Sequence, residues 1–265
     1  IIKPIIIANP GSKSQDKIKE YCLEPVIYNF RLLKIYGDLN IPVHLKFNTG
    51  MNRFGFDEED MPQLLEELKK YPELDIKSFC THLSSSNESA KDDFSKEQIT
   101  RFKLLGASLE HARSKKIPSH VLNSNGVLRF SATEEKVVRF GIAMFGISKD
   151  ESLQQIASLK STISQIRTVK KGSFVGYNNS FEAKSEIKIA IVPIGYADGL
   201  NRKLGEGNGK VLIHDKECPI IGKISMDSLV ADVSGLNAKE GDDVIIFSPE
   251  FSLVNIADDL NTIPY

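Results

Sequence analysis

The pattern of apolar residues changes near residue 155, and this change limits the folds open to the chain. Before that point, short apolar stretches alternate with stretches in which apolar residues recur at helical spacing. We predict strands at residues 5–8, 25–28, 43–47, 76–83, 120–123 and 137–145. Helices are predicted between them, among them one that begins with a capping box formed by Ser95 and Gln98. Alternating strands and helices favour a parallel sheet joined by right-handed crossovers.

Six predicted strands are too few for a complete (β/α)8 barrel, which has eight strands and about 250 residues at typical size. We therefore predict an α/β fold in which residues 1–152 form a TIM-type (β/α)8 barrel whose first two βα units are missing. The start of the chain agrees with this expectation, because Ile-Ile-Lys-Pro-Ile-Ile-Ile-Ala lacks an initiator Met and has the composition of an internal strand.

Strands dominate the second part of the sequence. They are predicted at residues 162–168, 187–193, 211–214, 219–224, 229–233 and 244–247, and a helix is predicted at 253–260. Several of these strands alternate apolar and polar residues and are separated by turn residues, as in antiparallel sheets. We predict that residues 153–265 form a second, mostly antiparallel β domain.

The net charge and the apolar runs argue against several classes of partner, and the cysteine usage predicts a cytoplasmic protein. The formal net charge is -1, so no charge excess favours nucleic acid or an anionic membrane. No apolar run approaches the length of a membrane span. The three cysteines, Cys22, Cys80 and Cys218, are widely spaced and predict reduced thiols, with no disulfide framework and no metal site.

Polar residues follow the predicted strands where parallel sheets build their sites. The stretch 44–55, His-Leu-Lys-Phe-Asn-Thr-Gly-Met-Asn-Arg-Phe-Gly, begins as a strand and ends in a turn that carries Arg53. An Arg presents a planar fork of donors that suits a carboxylate or a phosphate. His82 and Ser124 follow the next two strands, and Gly141 follows Arg139. Each of these residues alone is equally consistent with ordinary turn or surface structure.

Five segments together resemble one family. The stretch 44–55 resembles the "HLK-x-D/N-TGM-x-R-x-G" segment of the alanine racemases. Residues 175–177 (Val-Gly-Tyr), 195–199 (Gly-Tyr-Ala-Asp-Gly) and 224–227 (Ile-Ser-Met-Asp) resemble that family's "GYG", "GYADG" and "G-x-I-x-MD" segments. The last four residues, Thr-Ile-Pro-Tyr, resemble the start of its "TIPYE" segment. The five segments occur in the same order as in that family, and together they extend over nearly the whole chain.

This resemblance implies a pyridoxal-phosphate enzyme with an N-terminal barrel and a C-terminal β domain. The family forms head-to-tail homodimers whose sites take residues from both chains. By motif, the phosphate of the cofactor would be held by Ser124, Gly141, Ile142 and Tyr265. Arg139 would face the pyridine nitrogen and, because it keeps its proton, would discourage transamination.

The resemblance also assigns the groups that meet the substrate. Tyr177 would be the proton-transfer base that each chain supplies to its partner's site, with His82 behind it. Arg53 and the Met226 backbone would hold the substrate carboxylate. Lys46 would be the lysine that is often carbamylated, and its anionic form would pair with Arg53. Two bases are needed because racemisation removes a proton from one face of the α-carbon and returns it to the other.

The expected reaction is the interconversion of L-alanine and D-alanine for peptidoglycan synthesis. The sequence leaves open whether alanine is preferred over serine as the substrate. The family's cofactor lysine lies in a "KANAYGHG" segment that does not occur here, so we expect these 265 residues alone to be inactive. Asn178 also stands where the family usually has Gly. Two alternatives remain: a non-catalytic barrel protein that binds pyridoxal phosphate, and an inactive dimerisation remnant.

Overall fold

The computed structural model describes residues 3–130, 137–150 and 152–264, and it divides the chain into two compact units. The first unit is Ile1–Gly141 and the second is Ile142–Tyr265. The boundary predicted at residue 152 stays a prediction. Among the described helices, none has the length and apolar character that crossing a membrane would require.

The first unit is a parallel sheet with intervening helices, as the alternation predicts. Its five strands lie in chain order, Ile6–Ile7 (β1), Glu24–Ile27 (β2), Val43–Lys46 (β3), Ile76–Cys80 (β4) and Ser119–His120 (β5). The helices are Gln15–Glu20 (α1), Phe30–Asp38 (α2), Met61–Lys69 (α3), Asp92–Arg113 (α4) and Ser124–Arg129 (α5). Whether the parallel sheet belongs to a closed eight-stranded barrel stays a prediction.

The two faces of this sheet differ in polarity. Successive side chains of a strand point to opposite faces, so Leu45 and Phe47 lie on the face opposite to His44 and Lys46. The apolar face packs against the helices: Phe79 of β4 lies 5.1 Å from the Phe102 ring of α4, centroid to centroid. Burying such an aromatic side chain stabilises the fold by about 1.5–3 kcal/mol. The opposite face carries the polar residues of the site.

Two predictions for the first unit are wrong. Ser95 and Gln98 form no capping box, because α4 begins at Asp92 and both residues are buried inside it. The acids at its first turn, Asp92 and Asp93, suit the positive end of the helix instead. Residues 137–145 form no strand among the described residues; the backbone N–H of Arg139 makes one bond to the Leu122 carbonyl, and a 3₁₀ turn follows at Ile142–Phe145.

The second unit is mainly an antiparallel sheet, as predicted. Its seven strands lie in the spatial order Leu159–Thr162 (β6), Asp243–Phe247 (β14), Lys210–Ile213 (β11), Lys216–Ile221 (β12), Leu229–Asp232 (β13), Ile187–Val192 (β10) and Gln165–Val169 (β7). The helix Leu253–Asp259 (α6) lies where the periodicity places it. The apolar faces of the strands enclose a core of Val, Ile, Leu and Ala side chains.

The strand predicted at 162–168 is wrong in one respect: it is two strands. The chain leaves β6 after Thr162 and enters β7 at Gln165, at opposite edges of the sheet. The sequence analysis also missed a short hairpin of Phe174–Val175 (β8) and Phe181–Glu182 (β9). Two-residue strands are too short for a periodic signal. This hairpin carries Tyr177 at its turn.

Candidate active site

The parallel register brings three strand ends together in the first unit. Lys46 of β3 is paired with Cys80 of β4, and Cys80 is paired with His120 of β5. The loops that follow these strands therefore begin side by side, at the edge where α/β proteins build their sites. Lys46, Arg53, His82 and Ser124 lie at these ends or shortly after them. Arg139 and Gly141 follow α5 and reach this edge by hydrogen bonds to His120 and Ser124.

The loop after β3 is closed by hydrogen bonds at its base. Phe56 N–H donates to the Lys46 carbonyl, and Asn48 N–H donates to the Phe56 carbonyl, each at 2.9 Å. The Asn48 side chain then accepts from Gly50 N–H and Asn52 N–H, at 3.2 and 2.9 Å. Asn48 Nδ2 also donates to Asp57, at 2.6 Å. These bonds define the eight-residue turn that presents Arg53.

The side chains of Lys46 and Arg53 lie at this edge close to other positive charges. Among the described residues, Lys46 and Arg53 form no ion pair. The Lys46 ammonium lies 5.7 Å from the centre of the Phe54 ring. Burial lowers the pKa of Lys46, and the positive charges of Arg53 and Arg139 act in the same direction, against an opposing effect of Cys80. The edge therefore offers an excess of positive charge to an anionic ligand.

His82 is neutral in this environment. Burial, together with the nearby charges of Arg139, Arg53 and Lys46, lowers the pKa of His82 to about 4. Its backbone is held by the buried Gln98, whose Nε2 donates to the His82 carbonyl at 3.2 Å. A neutral imidazole beside cationic groups can accept or donate a hydrogen bond without adding a positive charge.

Arg139 is fixed by both of its terminal nitrogens. Nη1 donates to Nδ1 and to the carbonyl oxygen of His120, at 2.6 and 2.8 Å. Nη2 donates to the carbonyls of Thr81 and Val121, at 2.5 and 3.1 Å. Four acceptors on two neighbouring strand ends hold the plane of the guanidinium.

Ser124 and Gly141 are brought together although 17 residues separate them. Gly141 N–H donates to Ser124 Oγ at 2.9 Å. Ser124 is the first residue of α5, whose cap is Asn123: its Oδ1 accepts from Gly126 N–H at 2.9 Å. Two of the sequence-predicted phosphate ligands are thus adjacent. Tyr265 lies outside the described residues.

Tyr177 stands on an exposed turn of the second unit. The turn joins β8 to β9 and leaves 69% of the Tyr177 side chain accessible. Gly176 and Asn178 have φ values of +81° and +59°. Asn is among the non-glycine residues that adopt the left-handed region most readily. The replacement of the family's usual Gly by Asn178 is therefore compatible with this turn.

The segments 195–199 and 224–227 form one double turn in the second unit. Tyr196 N–H donates to the Ser225 carbonyl at 3.1 Å, and Ala197 N–H donates to the Met226 carbonyl at 2.9 Å. A Cβ on Gly195 would lie 2.5 Å from Met226 backbone atoms, so only glycine permits this approach. Met226 is exposed at this turn.

The sequence analysis missed four polar side chains that lie behind Arg139 in the first unit. They are Glu24, His44, Ser78 and His120, and hydrogen bonds connect them to Arg139. The available signal was the presence of polar residues inside otherwise apolar parallel strands, where buried polar groups need partners.

Comparison with known proteins agrees with this arrangement along the whole chain. A family model for the N-terminal domain of alanine racemase matches residues 1–149, and one for its C-terminal domain matches residues 156–265. The alanine racemase of Helicobacter acinonychis is 35% identical over 290 residues, covering 99% of this chain and 75% of that protein. The alanine racemase of Clostridium tetani is 29% identical over 278 residues, covering 98% and 71%.

Solved structures give the same result. The alanine racemase of Bacillus anthracis with bound L-Ala-P is 27% identical, with a TM-score of 0.89 over 100% of this chain and 72% of that one. The alanine racemase of Bartonella henselae with covalently bound pyridoxal phosphate is 27% identical, with a TM-score of 0.86 over 98% and 74%. Because both family models match in order, and relatives and structures agree with them, this chain belongs to the alanine racemase family.

Proposed function

We propose that this chain acts in a pyridoxal-phosphate-dependent alanine racemase, which interconverts L-alanine and D-alanine. Family membership supports the reaction class. The observation that carries the residue assignments is the edge of β3–β5, where the positive charges of Arg53 and Arg139 act together and help to lower the pKa values of Lys46 and His82. Such an edge favours anionic ligands, and both the cofactor phosphate and an amino-acid carboxylate are anionic.

The donors present fit pyridoxal phosphate. Ser124 and the Gly141 backbone, already joined by a hydrogen bond, would hold the phosphate with Ile142 and Tyr265. Arg139 would meet the pyridine nitrogen with its guanidinium plane held by four acceptors. When bound, the cofactor supplies the electron sink that makes the α-proton of an amino acid acidic.

The remaining groups act on the substrate. Arg53 and the Met226 backbone N–H would hold the carboxylate, which fixes the α-carbon in place. Tyr177 Oη would receive or return a proton on one face of that carbon. Because Tyr177 is largely exposed on its turn, we propose that it serves the site of a second copy, as in a head-to-tail homodimer with shared sites.

One experiment separates this function from the two alternatives. The complete protein that contains this chain is purified, and its absorbance with added pyridoxal phosphate and its conversion of L- to D-alanine are measured. A racemase shows a cofactor band that borohydride abolishes, and it forms D-alanine. A band without conversion would support the non-catalytic binding protein, and the absence of both would support the dimerisation remnant. L-serine in parallel measures substrate preference.

We expect Lys46 to be carbamylated in the complete protein. Its lowered pKa increases the neutral amine, which can attack carbon dioxide; an N–C bond forms, one proton leaves and an anionic carbamate remains. That anion would aim Arg53 at the carboxylate. Lys46→Ala should therefore lower kcat/KM by about tenfold, the effect of one charge-assisted hydrogen bond.

The matched control is Lys77→Ala, which removes an exposed lysine from the neighbouring strand β4. It should keep wild-type kinetics. Carbon-13 NMR with labelled bicarbonate should show a carbamate signal that disappears only in Lys46→Ala, and bicarbonate should not restore that variant. Wild-type kinetics in Lys46→Ala would contradict the pairing with Arg53.

A further inference from the structure

Four polar side chains lie in a row across the parallel sheet behind Arg139. They come from four adjacent strands: Glu24 from β2, His44 from β3, Ser78 from β4 and His120 from β5. His44, Ser78 and His120 are each 5% exposed or less. Burying polar groups is costly unless they are hydrogen-bonded. The apolar side chains of the core cannot supply such bonds, so the members of the row must find their partners elsewhere.

Neighbouring members of the row are within hydrogen-bond distance from one end to the other. Glu24 Oε2 lies 2.8 Å from His44 Nε2, and His44 Nδ1 lies 2.6 Å from Ser78 Oγ. Ser78 Oγ lies 3.0 Å from His120 Nε2, and His120 Nδ1 lies 2.6 Å from Arg139 Nη1. Four consecutive contacts therefore connect a carboxylate to a guanidinium.

The two ends of the row allow only one arrangement of protons with neutral rings. Arg139 can only donate, so His120 accepts at Nδ1 and carries its proton on Nε2. That N–H donates to Ser78 Oγ, and the Ser78 hydroxyl donates to His44 Nδ1. His44 then carries its proton on Nε2 and donates to the Glu24 carboxylate, which can only accept. Every group is satisfied, and all four bonds point from the cation toward the anion.

The protonation states agree with this arrangement. Burial, followed by the positive charge of Arg139 and then by His44, lowers the pKa of His120 to about 3. The pKa of His44 is also lowered, chiefly by burial. The charged groups that face His44 are Glu24, Lys77 and Asp75. Both rings are therefore neutral near pH 7.

We propose that Glu24, His44, Ser78 and His120 are positioning residues, which hold the Arg139 guanidinium in one orientation and place a compensating negative charge behind it. Hydrogen bonds aligned in one direction polarise one another, so the Glu24 charge strengthens the contact at Nη1. The identity of the ligand that Arg139 contacts rests on the proposed function. The hydrogen bonds of the row do not depend on it, because they are present in the fold of the first unit.

The row is tested first in the complete protein without cofactor. With ¹⁵N-labelled histidine, NMR should show His44 and His120 protonated at Nε2 and unprotonated at Nδ1 near pH 7. His120 should stay so from about pH 5 to pH 8, where an ordinary histidine titrates. A proton on Nδ1 of either ring, or titration of His120 in that range, would overturn the proposal. This measurement stands whether or not the protein proves to be a racemase.

The second test uses the protein loaded with pyridoxal phosphate. Ser78→Ala interrupts the row, and Glu24→Gln removes its charge with little change of shape. The matched control is Ser95→Ala, because Ser95 is also buried and its Oγ has no hydrogen-bond partner among the described residues. Thermal unfolding identifies the variants that fold.

Ser78→Ala and Glu24→Gln should lower kcat/KM by about tenfold, as outer-shell partners of functional groups do. In Glu24→Gln, the absorbance of the bound cofactor should titrate at lower pH, because the site loses a compensating negative charge. Ser95→Ala should change neither quantity. If both test variants match Ser95→Ala in kinetics and in the absorbance titration, the row does not act on Arg139. If the wild-type protein forms no D-alanine, the proposed function fails, and the NMR result alone decides the row.

Discussion

Tyr177→Phe should abolish racemisation in the complete protein while leaving the fold intact. The change removes one oxygen from a side chain that is 69% exposed, so little packing is lost. Removing a general acid–base group typically costs about 10²- to 10⁴-fold in rate. Racemisation needs a base on each face of the α-carbon, and the family's cofactor lysine would act on the other face. In deuterium oxide, D-alanine should still exchange its α-hydrogen, whereas L-alanine should not.

Tyr196→Phe is the matched control for this prediction. Tyr196 is another tyrosine on an exposed turn of the second unit, 42% exposed, and the Arg202 guanidinium lies 5.2 Å from its ring centre. Phe keeps that ring, so Tyr196→Phe should retain activity. If Tyr196→Phe stops racemisation and Tyr177→Phe does not, the second base is Tyr196.

Mixed dimers test whether the site is shared. Chains with Tyr177→Phe are combined with chains that lack the cofactor lysine. Each heterodimer then contains one site with both bases and one with neither, so some activity should return. Heterodimers that form and remain inactive would mean that Tyr177 does not serve the partner's site.

Gly55→Ala should destabilise the first unit more than any surface change, by about 3 kcal/mol. Gly55 has φ = +134° and ends the turn that carries Arg53. A Cβ there would lie 2.4 Å from the backbone nitrogen of Asn48 and from the carbonyl carbon of Phe47. Backbone atoms of a closed loop cannot move aside as a flexible side chain can. Denaturant unfolding and the hydrogen exchange of Phe56 N–H measure the effect, and kcat/KM should fall as the turn distorts.

Gly235→Ala separates backbone strain from steric overlap. Gly235 also has positive φ, +80°, but an added Cβ would meet nothing within 4 Å. Its substitution should cost only the conformational penalty, about 1–2 kcal/mol. Equal losses for Gly55→Ala and Gly235→Ala would show that the overlap at Asn48 and Phe47 is relieved at no cost, contrary to the prediction.

Periodicity alone was sufficient for much of the fold. The strands β2, β3 and β10 and the helix α6 lie within two residues of their predicted limits. Apolar spacing is a local property, and it survives wherever a segment buries one face. The order of the segments likewise predicts a parallel unit followed by an antiparallel one.

Predictions from local sequence pattern were wrong at residues whose hydrogen-bond partners lie far away in the sequence. Ser95 and Gln98 match a capping box, yet Gln98 donates to Thr49 Oγ1 and to the His82 carbonyl, so it is used inside the protein and not at a helix end. The apolar pattern of residues 137–145 predicts a strand. In the structure, the Arg139 side chain instead donates hydrogen bonds to His120 and Thr81 at the ends of β5 and β4. Such bonds join residues far apart in sequence.

The sequence by itself determined which parts this protein contains: a parallel and an antiparallel sheet, the family motifs, and the basic and tyrosine residues of the candidate site. Only the tertiary structure decided how those residues meet. The parallel register places Lys46 and His120 on either side of Cys80, and it aligns the four side chains behind Arg139 into one hydrogen-bond row. The physical reason is that a register is set by pairing between distant strands, while a sequence pattern records only which face of its own strand each residue occupies.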